Sequence, residues 1–302
     1  MIQVRWLGAV ALVCLSVASV AQADVSQGTV QRTHLKYSTR SSSLGAEPSL
    51  RSSAALVIDM THSSVLYSRH SDVAMPIASI TKLMTALVVM DAAQSLDEVL
   101  VVSADDTILS KTSASRLAPG TRLSRADFMH LALMSSENRA AHVLGRNFPG
   151  GLAACVKAMN AKALELGMVH THFVEPTGLS DENVASPEDL SKLVMAAAKV
   201  PEIREFSTDS GYEVEVGRRV LRFRNTDSLV SKPDWKIVVQ KTGYISEAGR
   251  CLVMQTVIDD RSVVIVLMNS FGKRTRVADA RRVRKWVESS VLTRDARTAA
   301  TT

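Results

Sequence analysis

The chain has little cysteine and little histidine for its 302 residues. Of three Cys, Cys14 lies in the apolar N-terminal run, and Cys155 and Cys251 make one pair in a long chain. That is too few for a disulfide framework, so two buried thiols are the expected state. The seven His show no ligand spacing: His62 and His70 stand apart, and His170 and His172 flank Thr171 with no Cys or carboxylate partner nearby. No metal is expected, and no cofactor. Charge of one sign is never concentrated either. The net charge is +6 with a pI near 9.3, yet acidic residues stand between the basic ones throughout. That pattern argues against nucleic acid and favours an acidic partner.

Long apolar runs are missing after residue 23. Before it, MIQVRWLGAVALVCLSVASVAQA carries one Arg, a hydrophobic stretch too short to span comfortably, and Ala21-Gln22-Ala23. This is the make-up of a secretory signal peptide cleaved after Ala23, with no stable membrane anchor to follow. An exported, periplasmic protein is expected. Residues 24–51 are rich in Ser, Thr, Gln and Arg and read as a flexible linker. Residues 52–290 are long enough for one large core or two closely packed lobes, and residues 291–302 read as a disordered tail.

What the chain does have is centred on PIASITKLMTALVVM, Pro76 to Met90, where Ser79 and Lys82 stand three residues apart at a helix start. Ile80, Leu83, Met84, Leu87 and Val88 repeat at helical spacing and should face a core, leaving Ser79, Lys82 and Ala86 on the opposite stripe. A hydroxyl one turn from an amine can become a nucleophile if the amine loses its water and its pKa falls. Backbone N–H groups at a helix start also favour a developing oxyanion. Taken by itself, Ser-x-x-Lys is also the mark of an ordinary amphipathic helix with a solvated Lys.

Around this helix the elements follow in a readable order. Ala54 to Asp59 and Ser64 to Ser68 form a hairpin pattern across Thr61 to Ser63. Glu98 to Ser103 is a short extended piece, and Asp105 to Gly120, without periodicity, reads as a surface loop. Ser124-Arg125-Ala126-Asp127 is a capping box for a helix that ends at Ser135-Ser136-Glu137-Asn138. A second helix starts at once, so Ser136 and Asn138 lie on the turn between the two. Helices over Leu152 to Leu166 and from Ser186-Pro187 to Lys199 follow. Then the period changes: a hairpin across Gly217, strands at Lys236 to Lys241, Cys251 to Ile258 and Ser262 to Met268, and a closing helix with Arg281, Arg282, Arg284 and Lys285 on its wet face. The order implies an α+β fold: an antiparallel sheet whose edge strands come from the N-terminal part, with an all-α lobe inserted.

At the end of KIVVQK stand Lys241-Thr242-Gly243 and then Tyr244. Ser-x-x-Lys at Ser79, Ser-x-Asn at Ser136 and Lys-Thr-Gly at Lys241, in that order, match a known signature of penicillin-binding proteins and class A β-lactamases. From Ala54 to Ser290 the chain resembles the serine DD-peptidases of the penicillin-recognising group. LMSSENRAA, FVEPTGLS and KTGYISEAGRCLVMQTVI bring it closest to the D-alanyl-D-alanine endopeptidases of that group. The resemblance implies a β-lactamase/transpeptidase-like fold, an antiparallel sheet flanked by helices beside an all-α lobe, with the site between them. It implies action on peptidoglycan stem peptides and crosslinks, and β-lactam antibiotics as covalent inhibitors.

The resemblance also implies roles. Ser79 attacks the carbonyl and Lys82 takes its proton; Ser136 relays a proton to the leaving amine; Asn138 holds Lys82 and the substrate amide. Lys241 attracts the substrate carboxylate and keeps the Lys82 pKa down, Thr242 binds that carboxylate, and the N–H groups of Ser79 and Tyr244, beyond Gly243, hold the oxyanion. Three other readings compete. A class A β-lactamase needs a carboxylate for its water, and Glu175-Pro176 stands where one would be sought, but Thr177-Gly178-Leu179 follows in place of the lactamase pattern. A D-alanyl-D-alanine carboxypeptidase shares every motif, though about fifty residues after Gly249 leave no room for a second β-rich domain. A non-catalytic wall-binding module would need a broken polar set.

Overall fold

The computed structural model describes residues 47–107 and 115–299, with side chains as far as Ser289. The expected signal peptide, residues 1–46 in general and the middle of the expected surface loop lie outside the described residues. The linker was expected to reach residue 51, yet Leu50 already packs in a core, because its side chain meets the sheet's outer face.

The chain opens with strands β1 (Ser52–Asp59) and β2 (Ser64–Arg69) and the two-residue β3 (Met75–Pro76). A 3₁₀ turn, Ala78–Ile80, leads into helix α1 (Thr81–Asp91). Strand β4 (Val99–Val101) pairs with β5 (Arg122–Ser124), which runs into α2 (Arg125–Met134), α3 (Asn138–Arg146) and α4 (Gly151–Glu165). Strand β6 (Val184–Ala185) pairs with β3 and precedes α5 (Pro187–Ala197) and α6 (Pro201–Thr208). The hairpin β7 (Gly211–Val216) and β8 (Arg219–Arg224) follows, then β9 (Lys236–Ile245), β10 (Gly249–Ile258), β11 (Arg261–Ser270) and the closing α7 (Thr275–Ala299).

Five strands form one antiparallel sheet in the order β2-β1-β11-β10-β9. The N-terminal hairpin therefore supplies one edge, as expected, but the other edge is β9 from the last third. Its central strands are apolar on both faces, and the pleat sorts them. Ala54, Leu56 and Ile58 of β1, with Val264 and Val266 of β11, face the helical lobe, while Ala55, Val57, Val263 and Ile265 face α7. Two cores result, one on each side. Ala280, Val283, Trp286 and Val287 of α7 fill the outer one.

Several boundaries have local causes. The Ser124 hydroxyl accepts from the Asp127 N–H at 3.0 Å while the Asp127 carboxylate accepts from the Ser124 N–H, the reciprocal cap read from sequence. Asp259 and Asp260, both at positive φ, make the tight turn between β10 and β11. Helix α6 escaped the sequence reading, though Pro201 at its first turn marks its start. The closing helix corrects the expected tail at residue 291: with no Gly or Pro between Thr275 and Ala299, nothing stops it.

Sheet and closing helix are joined by one buried carboxylate. Asp279 of α7 accepts from the Arg51 and Ser52 N–H groups and from the Ser52 hydroxyl at 2.7 Å, and Arg282 pairs with it. Removing the carboxylate leaves buried donors unpaired, at about 1–3 kcal/mol. Asp279→Ala should lower the thermal midpoint by several degrees in a calorimetric scan, while the rate of acylation by benzylpenicillin at 25 °C stays that of the parent.

Candidate active site

The Ser79 turn is held in a strained shape by two approaching glycines. Ala78, just before Ser79, has φ 49, a left-handed conformation that is costly for a residue with a Cβ. A Cβ built on Gly178 would stand 1.9 Å from the Ala78 carbonyl oxygen, and one built on Gly243 would stand 2.9 Å from that of Ile77 and 3.3 Å from the Ser79 nitrogen. Neither position has room for a side chain. The backbones of the Gly178 loop and of β9 can therefore lie directly against the serine.

Helix α1 then carries Lys82 inward. The stripe opposite the core was expected to be a separate polar face, but Thr81 through Val89 are all buried. Lys82 is 1 % exposed, whereas Ser79 stays partly open to solvent. The Lys82 Nζ donates to the Ser79 Oγ at 2.9 Å, to the Asn138 Oδ1 at 2.8 Å and to the Thr177 carbonyl. Burial pushes its pKa down to about 8, against the opposing charges of Glu175 and Glu137. Desolvation is the largest cause, and repulsion between the Lys82 and Lys241 amines acts in the same direction. Proximity tells more on Lys241, which lies well below the usual lysine range through burial first and then through Lys82 and Arg276.

The remaining expected residues come from two further elements. Ser136 sits at φ 61 in the turn between α2 and α3, and Asn138 opens α3. Lys241, Thr242, Gly243 and Tyr244 lie inside β9, which continues to Ile245 and does not stop at Lys241. The strand runs on because Gly249 to Gln255 offers it an in-register antiparallel partner, with Cys251 opposite Gly243. The Lys241 Nζ donates to the Ser136 Oγ at 2.9 Å. Thus Ser79, Lys82 and Asn138 form one bonded group, and Ser136 with Lys241 forms a second. Thr242 is buried with its hydroxyl 2.6 Å from that of Thr226, and Tyr244 is exposed with Arg250 over its ring.

Two contributors were not singled out from sequence, and a third, Glu175, has another use than the one weighed there. Arg276, at the start of α7, donates to the Gly243 carbonyl at 2.9 Å, but in sequence it is one of many arginines. Thr226 looks like an ordinary loop threonine. Glu175 is the carboxylate a β-lactamase reading would use on water, but its partners here are backbone N–H groups and one side-chain amide. It accepts from the N–H groups of Thr177 and Gly178 and from the Asn183 amide. Asn183 in turn donates to Thr81, and Thr85 donates to the Pro176 carbonyl at 2.7 Å. The FVEPTGLS loop is thereby tied along α1, with the Thr177 carbonyl set on Lys82. Among the described residues the two thiols are free and buried, Cys155 in α4 and Cys251 in β10.

Comparison with known proteins agrees with this geometry. The chain is 46 % identical over 253 residues to a D-alanyl-D-alanine endopeptidase of Escherichia coli K12, covering 83 % of this chain and 82 % of that one. It is 47 % identical over 252 residues to a D-alanyl-D-alanine endopeptidase of Pseudomonas aeruginosa, covering 83 % and 81 %. In fold it is similar to the Streptomyces K15 DD-transpeptidase, with a TM-score of 0.74 at 23 % identity over 80 % of this chain and 98 % of that one. It is similar also to a D-alanyl-D-alanine carboxypeptidase of Mycobacterium tuberculosis H37Rv, with a TM-score of 0.73 at 26 % identity, covering 80 % and 92 %. The expected β-lactamase/transpeptidase-like architecture is the one observed. Residues 41–272 match the sequence profile described as D-alanyl-D-alanine carboxypeptidase, and the chain belongs to that family of serine peptidases, peptidase family S11.

Proposed function

We propose that the protein is a periplasmic serine DD-endopeptidase that hydrolyses D-Ala crosslinks between peptidoglycan stem peptides and is acylated by β-lactams. The observation that carries this reading is the buried Lys82 amine, 2.9 Å from a partly open Ser79 hydroxyl. Charged, Lys82 has three hydrogens for its three acceptors, Ser79, Asn138 and Thr177. Neutral, it keeps two donations and turns a lone pair to the serine O–H. The fixed acceptors thus aim the base.

Ser79 Oγ attacks the carbonyl carbon while its proton passes to Lys82, and the oxyanion is held by the Ser79 and Tyr244 N–H groups. The C–N bond breaks as Ser136 passes a proton to the departing amine, leaving an ester on Ser79. Lys241, hydrogen-bonded to Ser136, supplies the cation for that relay and for an incoming carboxylate, which Thr242 also binds. Asn138 fixes Lys82 and the substrate amide. Water then cleaves the ester and restores Ser79. Export with loss of residues 1–23 would bring the enzyme to the wall, and the composition of that segment supports it.

The direct test is mass spectrometry of the mature protein with crosslinked muropeptide dimers, with and without benzylpenicillin. Dimers should fall to monomers, and penicillin should block this through an adduct on Ser79. Intact dimers alongside loss of terminal D-Ala from pentapeptides would make it a carboxypeptidase instead.

The base assignment gives a pH profile. Only the neutral amine can accept the proton, so the penicillin acylation rate should rise about tenfold per pH unit below 8 and level off above it. A rate flat from pH 6 to 9 would remove Lys82 from that role. The Gly178 contact gives a mutation: Gly178→Ala must displace the Ser79 turn, and acylation should fall by roughly 100-fold, read as loss of fluorescent-penicillin labelling.

A further inference from the structure

Next to the Lys241 strand lies a charged surface that the reaction above does not use. An open pocket of about 560 Å³ is walled by Thr226, Lys232, Lys273, Arg274, Arg276 and Arg281. A second, of about 600 Å³, shares Lys232 and Arg281 with it and reaches Lys285 and Trp235. The two make one groove along α7. It opens directly off the site, because Thr226 bonds to Thr242 and Arg276 to the Gly243 carbonyl.

The cations of this groove lack counter-ions. Among the described residues, Lys232, Lys273, Arg274, Arg281 and Lys285 make no ion pair, whereas Arg284 is held by Asp234 and Glu288. Of the nearby acids, Asp234 and Glu288 line the second pocket but are taken up by Arg284, Asp279 is committed to Arg51, Ser52 and Arg282, and Asp227 is buried with a raised pKa. Several like charges crowded on α7, at its entry and in the segment before β9 repel one another, and an anionic ligand relieves that.

We propose that this groove is a subsite for the leaving strand of a crosslink, an acidic peptide whose carboxylates meet Lys232, Lys273 and Arg281. The inference rests on the endopeptidase reading. When a terminal D-Ala is trimmed, the leaving group is a single amino acid and ends beside Thr242. When a crosslink is cut, the leaving amine carries a whole second peptide, which must pass out of the cleft over a neighbouring surface. A groove continuous with Thr242 and lined with unpaired cations matches that peptide in position and in charge.

The test uses a chain carrying Lys232→Ala, Lys273→Ala and Arg281→Ala together, all exposed side chains. Acylation by benzylpenicillin, which has no leaving strand, should stay within about twofold of the parent and reports correct folding. The kcat/KM on crosslinked muropeptide dimers should fall about tenfold, the combined effect of three exposed ion pairs. In a Ser79→Ala background, the Kd for the uncut dimer should rise by a similar factor and lose most of its dependence on NaCl. Unchanged dimer affinity, whatever the variant does on anionic lipid vesicles, would overturn the proposal. If the parent cuts no dimer yet the Ser79→Ala protein binds it through the groove, the groove stands as a crosslink-binding surface, while the endopeptidase reading falls and the leaving-strand role with it.

Discussion

Removal of water from one lysine governs much of the molecule. In the proposed reaction Lys82 takes the Ser79 proton, which an ammonium of ordinary pKa cannot do at neutral pH, and that role calls for the enclosure observed around it. Enclosure requires a helix buried on every side, and that requires a second layer of helices around α1. A charge inside such a layer also needs polar partners, since leaving it unpaired would cost several kcal/mol. Ser79, Asn138 and the Thr177 carbonyl are those partners, and each comes from a different part of the chain. The helical lobe is in this sense the enclosure of one amine.

The sheet answers a different need. β9 is an edge strand, so one side of it is left without a sheet partner, and Gly243 lets that side come close to Ser79. With Gly178 pressing on Ala78, the serine turn is fixed by backbone contact from two segments. Fixing by backbone is stiffer than fixing by side chains, which rotate. The left-handed Ala78 and Ser136 mark where this precision is stored as strain.

Local chemistry was legible in the sequence and distant chemistry was not. The Ser124 capping box, the Ser186-Pro187 helix start and the Asp259-Asp260 turn depend on residues next to one another, and they stand where they were read. The eight candidate site residues were found as three short motifs, and the fold brings those motifs together. Burial of Lys82 on all sides, the run of β9 through Lys-Thr-Gly, and the structural use of Glu175 depend on segments tens of residues away. Sequence periodicity sees one face of one element, so α1 reads as amphipathic although its polar stripe is enclosed by other helices. Arg276 and Thr226 carry no local mark, and only the approach of α7 and of the preceding loop to β9 makes them part of the site.

The two free cysteines have a consequence of another kind. Burial pushes the Cys155 thiol up to about 12 and that of Cys251 to about 11. At neutral pH the thiolate, the form that exchanges with disulfides, is then on the order of one part in 10⁴ or less. In the folded protein these two thiols are thus kept out of disulfide exchange, and mixed disulfides at them form mainly while the chain is open. Disulfide exchange at these cysteines becomes a measure of how long the chain takes to fold, and not of how long it lives once folded.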